Sequence, residues 1–310
     1  MKTLQFALGS ILFVAFFATV SMAQNGRTFV SEAGLDTNPC SLTSPCRTFG
    51  QAISVTNAGG EVVVLTSAGY GPFAINKAIT VEAPAGVYAG ITVTSGDGID
   101  INAQGNDVVI LRGLTVNNQG SGGNGIVFNT GGTLHIESCI ANGFSSNNGI
   151  AINGPGSIVI KDTIARGNDT GIQVTLSAAG TASIAMDQLH LDANVSAGLV
   201  MVSTVSGAVV QGAIRNSSAS NNPAVGMQVI GNSSGIAVLN IANCLITNNG
   251  TGVEADQTTG GTGTESISDC IITNNQNGFF IMAGTISSLA NNTLTGNVLN
   301  TGTLTPLIAH

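Results

Sequence analysis

The chain has no Trp and two Tyr, Tyr70 and Tyr88, which leaves little aromatic surface on which sugar rings could stack. Charge is scarce as well: charged residues make up 8% of the chain, against about 25% in ordinary globular proteins. Eight Lys and Arg in 310 residues are too few for counterion-release binding to nucleic acid. They are equally poor for adsorption to anionic membranes. Low charge with 7 Pro could describe a disordered polar tract, but 43% apolar content rich in Val and Ile can bury a sizeable core. Long apolar runs are missing beyond the first residues, so the rest of the chain reads as soluble.

That first run sets the compartment. Lys2 precedes an almost continuously apolar stretch, Leu4 to Val20, and Ser21-Met22-Ala23 places small residues at −3 and −1 of a cleavage point before Gln24. This is the pattern of a removable secretory leader; the competing reading is a membrane anchor, since the stretch approaches the spanning length. Cleavage removes Lys2 and takes the net charge from −8 to −9. The expected destination is secreted: extracellular, or periplasmic and cell-surface in a bacterium.

What is abundant is Gly, 42 residues, and it recurs in register. A Gly followed by an apolar residue opens a short run at Gly98, Gly125, Gly149, Gly171, Gly198, Gly226, Gly252 and Gly278, at intervals of 22 to 28 residues. A second run follows in each unit, such as Ser157-Ile158-Val159-Ile160, and then a third, such as Cys244-Leu245-Ile246. Runs of 3–5 residues alternating apolar with polar are short strands, and no unit has room or periodicity for a helix of about ten or more residues. Parallel strands joined only by turns form a stacked coil. The predicted fold is therefore all-β, a single-stranded right-handed parallel β-helix.

Asn142, Asn168, Asn194, Asn222, Asn249, Asn275 and Asn297 fall at the corners, where Asn tolerates a left-handed bend and stacked amides can bond to one another. The marker glycines are read as turn residues needing positive φ. The layout expected is a leader over 1–23, an N-terminal strand, Cys loop and short capping helix over 24–60, coils over 61–300, and a tail over 301–310. Helical spacing of Phe49, Ala52, Ile53 and Thr56 puts the cap within Pro45 to Asn57. Cys40 and Cys46 flank a Pro-containing loop and suit a local disulfide, a metal site being the alternative reading. Cys139, Cys244 and Cys270 share one inward coil position and are read as buried free thiols, although Cys244 and Cys270 lie one coil apart.

The order Arg27-Thr28-Phe29-Val30-Ser31, Asn38-Pro39-Cys40, Pro45-Cys46-Arg47-Thr48-Phe49, Gly59-Gly60-Glu61-Val62, Gly69-Tyr70-Gly71 and Ile75-Asn76-Lys77-Ala78-Ile79-Thr80, followed by Gly-Ile coils, resembles secreted right-handed β-helix proteins of the pectin-lyase-like superfamily. The resemblance covers nearly all of the chain after the leader. It implies the fold but no single activity, because such proteins include polysaccharide lyases, hydrolases and esterases as well as adhesins and surface proteins. Lyases of that kind use a carboxylate-bound calcium with an Arg or Lys base, and galacturonan hydrolases use three Asp with a His and a basic residue. Their Asn-Thr-Asp, Asp-Asp and Arg-Ile-Lys strings do not occur here.

Other motif matches lack their settings. Gly120 to Gly125 matches a dinucleotide fingerprint but precedes a strand. Gly231 to Gly235 matches a nucleophile elbow without a helix behind it. Gly260 to Glu265 hints at a calcium-binding repeat but has Glu where Asp is required. One outward cluster is worth weighing: aligning Ile140, Ile164, Leu189 and Ile214 places Asp162 beside Asp187 and His190 beside Arg215, with Arg166 nearby. Neighbouring carboxylates can share a proton or a cation, so Asp162, Asp187, His190 and Arg215 are the catalytic candidates, against a background of ordinary solvated side chains. Glu137 and Lys161 align as a cross-rung ion pair. No cofactor or metal site is read. The leading expectation is a secreted or surface-associated, non-catalytic β-helix with a binding, adhesive or structural role toward a polysaccharide or a cell-surface or matrix component, without nucleic-acid binding or membrane insertion. The alternative is a polysaccharide-acting enzyme, a lyase or glycoside hydrolase.

Overall fold

The computed structural model of the chain describes residues 25–308; the leader read over 1–23 and the terminal His310 lie outside the described residues. Short strands stack into three sheets of 12, 10 and 9 strands. Each rung gives one strand to each sheet, as Thr133–Glu137, Ile140–Asn142 and Ile150–Ile152 do. Successive rungs pair in parallel and in register, for example Leu134↔Ile158 and Ile158↔Ile184. Alternation decides the facing: Leu134, Ile136, Ile158 and Ile160 are fully buried, while Thr133, His135 and Ser157 point outward. The sequence-derived parallel β-helix is the fold.

Two left-handed corners close each rung. At the first, Ser138, Asp162, Gln188, Asn216, Asn243 and Asp269 all have φ between 49° and 58°. The residue after each points inward, and at all but Leu189 its side chain donates to the carbonyl two residues back. Thr163 reaches the Lys161 oxygen at 2.8 Å and Ser217 the Arg215 oxygen at 2.6 Å. Cys139, Cys244 and Cys270 make the same bond through sulfur at 3.3, 3.3 and 3.1 Å. All three are buried free thiols, and they serve as hydroxyl equivalents that satisfy a corner carbonyl.

At the second corner Gly143, Gly167, Ala193, Asn221, Asn248, Asn274 and Gly296 are left-handed, and the next residue forms an inner ladder. Asn168, Asn194, Asn222, Asn249 and Asn275 are 0–4% exposed. Asn222 is typical: its Nδ2 donates to Leu191 O and Asn249 Oδ1, both at 3.0 Å, and its Oδ1 accepts from the N–H and Nδ2 of Asn194. Every polar atom of the buried amide is therefore satisfied. The sequence reading of stacked corner asparagines holds for six of the seven. Asn142 is not in the ladder; it pairs with Arg166, and Phe144 fills the rung below Asn168, donating its N–H to Asn168 Oδ1 at 3.1 Å.

The marker glycines need a different explanation from the one expected. None has positive φ. A Cβ at Gly171, Gly198 or Gly226 would lie 2.5–2.6 Å from the carbonyl oxygen of the glycine on the next rung. They are glycine because main chain stacks on main chain along this edge, with no space for a methyl group.

The N-terminal end is covered. Strand Asn25–Val30 pairs with Thr56–Val64, and helix Phe49–Val55 lies over the opening with Phe49, Ala52 and Ile53 buried. Phe49 packs on Tyr70 and Phe73 with ring centroids 5.3 and 4.6 Å apart. The helix is shorter than the expected Pro45 to Asn57 because Cys46 is fixed by the Cys40–Cys46 disulfide and donates its N–H to Phe29 O at 2.9 Å. Thr48 caps the first turn, accepting from Gln51 N at 3.2 Å, and Thr56 is already extended. At the other end Val298, Leu299 and Ile308 are 53–78% exposed, in keeping with a weak tail. No helix among the described residues is long and apolar enough to cross a membrane.

Candidate functional site

The candidate cluster comes apart at the first corner. Register places Lys161 opposite Asp187 and Asp187 opposite Arg215 in the 12-stranded sheet, and Ile164 opposite His190 in the 9-stranded sheet. Asp162 thus stands beside Gln188, not Asp187, on the left-handed corner itself. Its carboxylate lies 3.8 Å from Lys161 Nζ. His190 stands beside Ser218, with Nδ1 at 3.1 Å from its Oγ, and around the corner from Arg215. The slip has a physical origin. Ile140 and Ile164 face outward, whereas Leu189 faces inward in the column of Cys139, Thr163 and Ser217, so matching Ile164 to Leu189 shifts that step by one residue and reverses the face. Ile214 lies inward opposite Met186 in the 12-stranded sheet, so matching it to Leu189 shifts the next step by three.

What register does assemble is a column of alternating charge: Glu82, Arg112, Glu137, Lys161, Asp187 and Arg215 on six successive rungs. Arg112 bonds Glu137 at 2.9 Å and Glu82 at 3.3 Å, and Arg215 bonds Asp187 at 3.0 Å. The expected Glu137–Lys161 adjacency is present as one step of this column, although the close partner of Glu137 is Arg112. The signal was available in the sequence: each of the six residues follows an inward apolar one (Val81, Leu111, Ile136, Ile160, Met186, Ile214), and their signs alternate. Asp187, the one candidate carboxylate in the column, has its pKa lowered, first by the amide of Asn216 at 2.8 Å and then by Arg215, with burial opposing. It is held ionised and bonded on both oxygens, which suits charge pairing better than proton transfer.

Beside this column the outward face of the 12-stranded sheet is shallowly hollowed. Two adjoining depressions of about 400 and 480 Å³ share Val159, Ala185 and Ala213 as floor. Ser157, Ser183 and Gln211 line one flank, with Gln211 Nε2 donating to Ser183 Oγ at 2.9 Å, and Lys161, Asp187 and Arg215 line the other. Small floor residues on successive rungs leave a trough across several strands, bordered by hydroxyl and amide groups on one side and fixed charges on the other. Among the described residues no group of three or more His, Cys, Asp or Glu is arranged to hold a metal ion.

Residues 97–263 match the family model described as the right handed beta helix region, which is more than half of the chain. The chain belongs to the right-handed β-helix family. Among solved structures, this β-helix is similar to the pectate lyase Pel9A, with a TM-score of 0.54 and 16% identity over 85% of this chain and 68% of that one. A GH136 lacto-N-biosidase from Eubacterium ramulus aligns over 90% of this chain and 67% of that one, with a TM-score of 0.47 and 9% identity. The A-module of a mannuronan C-5 epimerase from Azotobacter vinelandii aligns over 81% and 91%, with a TM-score of 0.42 and 13% identity. No curated protein matches the chain. At these identities the likeness is one of fold alone, and it assigns no activity to the trough of this β-helix.

Proposed function

We propose that the protein is an exported, non-catalytic β-helix that binds an extended polysaccharide, or a cell-surface or matrix polymer of like chemistry, along the trough of the 12-stranded sheet. The observation that carries this reading is the trough itself: its floor is Val159, Ala185 and Ala213, and its carboxylate, Asp187, is committed to Arg215 and Asn216. Hydroxyl and amide groups at Ser157, Ser183 and Gln211 supply the hydrogen bonds that a neutral polymer chain requires. Export rests on the N-terminal leader pattern and accords with the disulfide between Cys40 and Cys46.

The test is a panel of acidic and neutral polysaccharides presented to the purified chain, with and without Ca²⁺, read for both retention and cleavage. The expected result is retention of at least one polymer without products, weakened tenfold or more by Ala185→Trp or Ala213→Trp, which raise the floor without touching a charge. Products that disappear in a folded Asp187→Ala variant would instead establish the enzymatic alternative. Undiminished retention in both Trp variants would move the binding surface off this trough.

A further inference from the structure

Cys244 and Cys270 differ from Cys139 in what stands next to them. All three occupy the inward position after the first corner, but the rung following Cys139 places Thr163 there, and its hydroxyl accepts the Cys139 N–H at 3.3 Å. The rung following Cys244 places Cys270. Register fixes them side by side: Leu245 pairs with Ile271, and Ile271 N–H donates to Cys244 O at 2.9 Å. In-register parallel strands stand about 4.8 Å apart, inside the Cα separation of about 4.4–6.8 Å that a disulfide tolerates. Both sulfurs already lean the same way, each bonded to the carbonyl two residues back.

The neighbouring Cys244 lowers the Cys270 pKa against the effect of burial, while Cys244 is pushed up by Cys270 and by burial. Cys139, with no thiol partner, is pushed up to about 11 by burial. Outside this corner a depression of about 380 Å³ is lined by Asn243, Cys244, Leu245, Asp269 and Ile271; it reaches the Cys244 rung, and Cys270 lies buried beside it.

We propose that Cys244 and Cys270 form a site of oxidative modification, at which a peroxide converts the two thiols into a disulfide bridging successive rungs and fastening the C-terminal coils to the rest of the solenoid. Cys270 is the attacking thiolate: its sulfur takes one peroxide oxygen, the O–O bond breaks, and the departing hydroxide leaves as water with a proton from solvent. Cys244 then gives up its proton and attacks the Cys270 sulfenic sulfur, and the hydroxyl leaves as a second water. Two thiol hydrogens and two electrons pass to one peroxide, giving a disulfide and two waters. No reductant or metal enters.

The experiment uses the purified chain with its Cys40–Cys46 bond intact and stoichiometric hydrogen peroxide as the oxidant. Thiols titrated in denaturant should fall from three to one. The intact mass should fall by two hydrogens, peptide mapping should join Cys244 to Cys270, and Cys139 should remain free. Closing a loop of this length raises Tm by roughly 5–10 °C. Cys244→Ser and Cys270→Ser should each abolish that rise. Both should fold, because Ser217 fills the same column position in a neighbouring rung and makes the same carbonyl bond. Three free thiols after treatment, a mass gain of oxygen in place of the loss of hydrogen, or a Tm rise that persists in either Ser variant would each overturn the proposal. The thiol count and mass on the unmodified chain decide the matter even without the variants.

Discussion

Glu265 is the residue least at home in this core. It stands inward between Leu239 and Ile286 on adjacent rungs, fully buried, and neither carboxylate oxygen has a hydrogen-bond partner among the described residues. Burial first, and repulsion from Glu254 second, raise its pKa well above the ordinary carboxylate range. An acid raised in this way is protonated more readily in the folded chain than in the unfolded one, so its contribution is complete below the unfolded value of about 4.3 and is lost as pH climbs above it. Glu265→Leu should therefore exceed the parent in Tm by a margin that is smallest near pH 4 and widens as pH rises; a margin that does not change with pH would mean that the carboxyl does not titrate differently in the folded chain. Ala193 is a second misfit of opposite kind. It carries φ 55 in a column otherwise filled by Gly and Asn, and left-handed backbone costs an ordinary L-residue about 1–2 kcal/mol. Ala193→Asn, the residue found at 221, 248 and 274, should add up to about 1 kcal/mol in denaturant unfolding.

The strand-and-corner unit is where sequence and structure met most closely. A Gly-apolar marker every 22 to 28 residues was enough to recover the coil, because a short alternating strand between turns has few other ways to bury its apolar face. The glycines themselves were misattributed, since a backbone-to-backbone approach between rungs leaves the same letter in the sequence as a left-handed turn. The two causes predict different mutants. Gly198→Ala should cost about 1–3 kcal/mol by overpacking, its Cβ meeting Gly226 O at 2.5 Å. Gly50→Ala, in the cap helix with nothing within 4 Å, should gain about 1 kcal/mol. Equal effects in a denaturation series would refute the distinction. The candidate site was less legible, and the first corner is the reason. There the inward position is held by Cys, Thr, Leu or Ser, chosen for a bond to a carbonyl as much as for hydrophobicity, so the usual inside-outside code fails for one residue and Asp162, Asp187, His190 and Arg215 were gathered on one face when they occupy two.

Across the whole molecule, charge is rare and nevertheless ordered. The column from Glu82 to Arg215 runs over six rungs, and its basic side chains are well exposed, from Arg112 at 42% to Arg215 at 68%. Exposed pairs of this kind contribute up to about 1 kcal/mol each and weaken with salt. Arg112→Gln, which strands Glu82 and Glu137 together, should lower Tm by a few degrees in dilute buffer and by little in 1 M salt; a loss independent of salt would assign Arg112 a packing role. The glycine edge reaches further. Because main chain rests on main chain there, the glycine edge holds the step between rungs at backbone contact, and every row of surface groups inherits one interval. A linear polymer laid along the axis therefore meets the same spacing again and again, as a thread meets the teeth of a comb. Its grip should grow with the number of its units engaged, so that oligomers bind in proportion to their length and a single unit binds scarcely at all.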